Sequence, residues 1–127
     1  MKPDWLERLS KQLSLIPHSQ DWGICNADAS RLEEFLNFYG SHVPVDPYEL
    51  EALAELIFQS AEEAIAAGGL ETIDVGRMAS FIRKNQSSFP VALEYWRNLE
   101  TGDWHLPTLI HETLFEMPVR KKTRRRF

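Results

Sequence analysis

The sequence predicts an all-α fold, a single compact bundle of about six helices with a short basic C-terminal tail. Three observations carry this. Apolar residues recur at spacings of three and four along most of the chain. No segment sustains the period-two alternation of a half-buried strand, and Asp, Ser, Pro and Gly fall where helices start and stop.

The best-signed helix runs from Asp46 to Ala67 (DPYELEALAELIFQSAEEAIAA). Asp46 caps, Pro47 suits the first helical position, and Glu49 stands where a capping box places its acid. Leu50, Ala54, Ile57, Ala61 and Ala64 trace one face, widened by Leu53, Leu56 and Ile65. Glu51, Glu55, Glu62 and Glu63 fall largely on the other side. Gly68-Gly69 ends the helix, and the alanines at positions 61, 64, 66 and 67 admit a close neighbour.

The remaining elements follow the same logic. Trp5, Leu6, Leu9, Leu13 and Ile16 predict a first helix from Pro3 to Leu15, stopped by Pro17. His18 to Ala27 reads as a loop, with Gly23 as punctuation and Trp22 anchored in the core. Asp28 caps a helix carrying Leu32, Phe35, Leu36 and Tyr39, closed by Gly40. Thr72 or Asp74 caps a fourth helix with Val75, Met78, Ala79 and Ile82 inward. Ser88 caps a fifth, with Pro90 in its first turn, Phe89, Leu93, Trp96 and Leu99 along one side, and Gly102 at its end. A sixth starts at Pro107, carries Leu109, Ile110, Leu114 and Met117, and stops at Pro118. The expected core contains Trp5, Leu9, Phe35, Leu53, Ile57, Ile82, Leu93, Trp96 and Ile110.

At 127 residues, 43% hydrophobic and 26% charged, the chain suits one helical domain, residues 1–118, followed by a tail, 119–127. The lone cysteine, Cys25, permits no intrachain disulfide. The amphipathic N-terminus lacks the apolar run of a secretory signal, and no stretch is long and apolar enough for a membrane. A cytoplasmic location without membrane contact is therefore expected.

No familiar catalytic pattern is present. His18, His42, His105 and His111 do not fall at zinc-site spacings, and they read as surface or boundary residues. Cys25, beside Trp22 and Ile24, reads as a small buried hydrophobe. Glu33-Glu34 and Glu62-Glu63 are adjacent pairs that point apart on a helix, unlike a shared-proton dyad. No enzymatic activity, metal or cofactor is expected.

Charge is the informative feature. Residues 1–119 hold 8 basic against 19 acidic side chains, a net −11, and the tail supplies Arg120, Lys121, Lys122, Arg124, Arg125 and Arg126. Between Arg31 and Arg77 there are ten carboxylates and no Lys or Arg. Unmixed like charge repels itself, so this block predicts a negative face that steers a basic protein partner. The partner-binding set is Glu33, Asp46, Glu51, Glu55 and Glu62, with the loop aromatics Trp22 and Trp104 as anchors. In type, though in no motif, the chain is similar to small acidic helical inhibitors such as immunity proteins and antitoxins. The alternatives are a nucleic-acid-associated protein using the tail, a tail folded onto its own acidic body, and an enzyme whose site assembles only in space.

Overall fold

In the computed structural model, residues 4–17, 20–99 and 104–116 are described. Among them the chain forms seven α-helices and no strand: α1 (Asp4–Leu13), α2 (Trp22–Asn26), α3 (Leu32–Ser41), α4 (Tyr48–Gly68), α5 (Val75–Asn85), α6 (Pro90–Arg97) and α7 (Leu106–His111). α7 continues into a π-helical turn, Glu112–Glu116. The chain is thus an all-α bundle. The element beyond the expected six is α2, which the sequence presents as loop because five residues are too few to show a period. The expected start at Pro3, the stops at Gly102 and Pro118, His18, Met117 and the tail 119–127 lie outside the described residues.

α4, 21 residues long, is the axis of the bundle, with α1, α2, α3, α6 and α7 packed on it. Its apolar face is wide enough to bury Leu53, Leu56, Ile57, Phe58, Ala61 and Ile65 at once. Every residue of the expected core is buried except Trp5, which packs partly exposed against its rim. At the centre the rings of Tyr39, Phe58, Phe81, Phe89 and Trp96 meet largely edge to face, the geometry that aromatic quadrupoles favour.

Close approach to α4 is made by Gly23. A Cβ added there would lie 2.9 Å from the Leu56 nitrogen and 2.9 Å from Glu55 Cγ, so α2 rests directly on the α4 backbone. Of the alanines to which the sequence assigned this role, Ala61 and Ala64 are buried, but Ala66 and Ala67 face solvent. Two polar ties fix α2 further. Trp22 Nε1–H donates to Ser10 Oγ on α1 at 2.8 Å. The Asn26 amide accepts from the Ile16 nitrogen and donates to the Ile16 and Trp22 carbonyls, which closes the α1–α2 connection.

The helix ends show where local signals worked and where they did not. Asp74 caps α5 as expected, accepting from Arg77 N. Asp28 accepts from Ser30 N but caps a 3-10 turn, Ala29–Arg31, that leads into α3, and Asp46 accepts from Tyr48 N one residue ahead of the α4 N-cap, Pro47. Glu49 reaches back to the Asp46 nitrogen, completing the capping box. Gly69, at φ 91, closes α4 in the left-handed region. Ser88 does not cap α6, however: Phe89 occupies the N-cap, and neither α6 nor α7 has a side-chain cap of its own.

Candidate functional site

α4 itself supplies what α6 and α7 lack. The Glu51 carboxylate accepts from Val91 N at 2.9 Å and Ala92 N at 2.8 Å, the unpaired donors of the first turn of α6. Three turns on, Glu62 accepts from His105 N at 3.0 and 3.1 Å and from Leu106 N at 2.7 Å, where α7 begins. A carboxylate at a helix N-terminus satisfies orphan N–H groups and meets the positive end of the helix dipole. These bonds tie segments forty or more residues apart.

At the N-terminal end of α4, beside Glu51, Glu49 is 1% exposed. It accepts from Val45 N at 2.9 Å and Asp46 N at 2.8 Å, lies 2.7 Å from His42 Nε2 and 3.5 Å from Arg8. Burial works to raise this carboxyl, but the His42 contact and the two backbone donors outweigh it and hold it below its ordinary value. An ionised carboxylate only accepts, so His42 presents its proton at Nε2. His42 also stacks on Phe38. The cluster fastens the α3–α4 linker.

These contacts redistribute the cation-free block. Glu33 pairs with Arg77, and Glu34 forms a two-pronged pair with Arg31. With Asp46, Glu49, Glu51, Glu62 and Asp74, seven of the ten carboxylates accept hydrogen bonds inside the fold. The expectation that Glu62 faces a partner is corrected: it is 5% exposed, because α7 covers it. Trp22 is corrected likewise, since its ring is buried with its N–H on Ser10, leaving nothing for a partner to grip. Glu33, Asp46 and Glu51 keep some exposure but are engaged as described. Trp104 is half-buried, edge-on to Trp96 at 5.6 Å, and lines a cavity of about 300 Å³ with Ile65, Leu70, Val75 and Leu109.

Glu55 differs from its neighbours. Among the described residues it makes no hydrogen bond or ion pair, and it lies in a groove of about 350 Å³ between α2, α4 and α6. Asp21, Glu51 and Glu55 line this groove together with Ile24, Val91 and Tyr95 over Ala52. Burial first, then the nearby charges of Asp21 and Glu51, push the Glu55 carboxyl above its ordinary value. Val91 at 72% and Tyr95 at 52% exposure are large apolar side chains left wet at the rim. Asp21 is held there by a left-handed backbone, φ 55, at the start of α2.

The sequence places Glu51 and Glu55 on one side of α4 but gives no sign of Asp21, Ile24, Val91 or Tyr95 as site residues. No local signal marks them, because Gly23 reads as loop punctuation and its close packing on α4 is visible only in the fold. Cys25, expected to be buried, is exposed, because α2 turns Trp22, Gly23 and Asn26 inward. His111 Nε2 lies 2.9 Å from the Arg97 carbonyl, and His105 is exposed. Among the described residues, no three His, Cys, Asp or Glu side chains converge as a metal ion requires. Among the same residues, no helix is long and apolar enough to cross a membrane. Compared with known proteins, the chain matches no family model and is significantly similar to no curated protein and no solved structure.

Proposed function

We propose that this chain is a cytoplasmic protein-binding module, not an enzyme, that docks a basic partner through the groove between α2, α4 and α6. An inhibitor of the immunity or antitoxin type is one protein of this kind. The supporting observation is Glu55, a half-buried carboxylate beside Asp21 and Glu51, with no cation among the groove's lining residues and with wet apolar side chains around it. An acidic centre within an apolar rim favours a partner that brings positive charge and apolar area together. The docking face is narrower than the whole acidic block, because the other carboxylates of α4 that the sequence nominated, Glu51 and Glu62, cap α6 and α7.

The test is affinity capture of basic proteins from a cell lysate at low and high salt, by the wild type and by Glu55→Gln and Asp21→Asn. Capture that weakens with salt and falls in both variants is expected. Capture unchanged in both variants at low salt removes the groove as the interface.

A further inference from the structure

We infer that the groove takes a single long cationic side chain, lysine or arginine, from a basic segment of the partner. Its apolar stem would lie along Ile24, Val91 and Tyr95, with its charge at Glu55 and Asp21. This rests on the groove being the docking face and specifies what enters it.

Glu51 and Glu55 stand one helical turn apart in the same groove, but their states differ. Glu51 has its oxygens filled by the Val91 and Ala92 N–H groups. Glu55 has no hydrogen bond among the described residues, while burial, Asp21 and Glu51 all act against its charge. Like charges at i,i+4 repel, and a half-buried carboxylate without a partner is costly. A cation at Glu55 relieves both effects and also meets Asp21 across the groove.

The walls select the kind of cation. Ile24, Val91 and Tyr95 are all exposed large apolar residues, and Ala52 lies beneath them. A bare metal ion or a short polar group would leave these surfaces wet. The methylene stems of lysine and arginine cover such surface while delivering charge at the tip, and the Tyr95 ring adds a face for a cation. A purely apolar side chain would cover the walls but leave Glu55 buried without a partner. Phosphate-bearing ligands meet three carboxylates and are repelled. At about 350 Å³ the groove lies near the lower end of ligand-site volumes, a space suited to one side chain rather than a folded element.

The probes are three end-blocked peptides that alternate leucine with arginine, with lysine, or with the uncharged arginine isostere citrulline, titrated into the full chain and followed by amide NMR. Saturable shifts at Ile24, Glu55, Val91 and Tyr95 are expected with the arginine and lysine peptides. The Glu55→Gln variant should bind the cationic peptides about tenfold more weakly, the loss of one charge-assisted contact, and the citrulline peptide, which has lost every positive charge, should bind the unsubstituted protein at least as weakly. In the unsubstituted protein the cationic peptides should also lower the titration midpoint of the Glu55 side-chain carbon, a readout independent of any variant. Equal binding of the citrulline peptide, an unmoved Glu55 midpoint, or no saturable shift at these residues overturns the inference. Glu55-dependent capture of basic proteins without peptide binding would overturn single-side-chain insertion and leave the docking face standing. Peptide binding with Glu55-independent capture would support insertion and remove the docking face.

Discussion

Glu62→Ala tests whether α7 is held in place by a carboxylate on another helix. Glu62 accepts from His105 N and Leu106 N, and Leu106 is fully buried, so truncation leaves the Leu106 donor where water cannot readily reach it. One buried donor left unpaired costs about 1–3 kcal/mol, and more where the lost partner was charged. Part of this is offset, because the substitution also removes a buried charge whose desolvation was unfavourable. A net loss of roughly 2–3 kcal/mol follows from these two effects. For a chain of 127 residues that is a fall in Tm of roughly 6–15 °C. Urea unfolding of the wild type, Glu62→Ala and the exposed neighbour control Glu63→Ala measures it. The control should stay within about 0.5 kcal/mol of wild type. Hydrogen exchange at the Leu106 amide supplies a local readout and should speed up in Glu62→Ala alone. A loss below about 0.5 kcal/mol, with Leu106 exchange unchanged, would refute the cap.

Gly23→Ala should destabilise by about 1–3 kcal/mol in urea unfolding, because its Cβ would press on the α4 backbone rather than on a flexible side-chain end. Trp22→Phe removes the N–H that Ser10 receives, and should cost about 1–2 kcal/mol by the same measurement. Glu49 is held below its ordinary carboxyl value, so its contribution is complete above the unfolded-state value and is lost as pH falls through the folded one. Glu49→Gln should therefore flatten the acid limb of the urea midpoint against pH, and an unchanged slope would remove Glu49 as its source.

The helices were legible because their signals are local. Leu50, Ile57 and Ala61 mark the α4 face by spacing alone, and Asp28, Asp46 and Asp74 cap within a few residues of where they stand. The destination of the carboxylates was not legible. Glu51 and Glu62 meet N–H groups some forty residues away, and no spacing rule on α4 encodes where α6 and α7 begin. The one indirect sign was the absence of a side-chain cap at the start of α7, since an uncapped buried helix start needs a partner from elsewhere. α2 escaped for the opposite reason: five residues give no period, and Gly23 resembles a loop until the neighbour it touches is known. The charge block stands out in the sequence, but charge counted along a chain does not separate carboxylates that hold the fold from those offered to solvent.

Glu51 and Glu55 make that separation testable, because they share a helix and a groove but do different work. Glu51 bonds the first turn of α6, so Glu51→Gln exchanges one accepting oxygen for an amide donor facing N–H groups, and stability should fall at pH 7. Glu55 has its carboxyl raised by burial and by Asp21 and Glu51, so the fold carries its charge at a disadvantage. A raised carboxyl binds its proton more tightly in the folded state than in the unfolded one. The penalty is therefore fully present above the folded value and vanishes below the unfolded value. Glu55→Gln should accordingly raise the urea midpoint at pH 7 and change it little at acid pH, while weakening docking. A residue that costs stability at working pH and has no hydrogen bond among the described residues fits a binding role better than a structural one. If Glu55→Gln instead lowers the midpoint at pH 7, or shifts it equally at both pH values, Glu55 is a structural carboxylate like Glu51 and the groove loses its claim as the docking face.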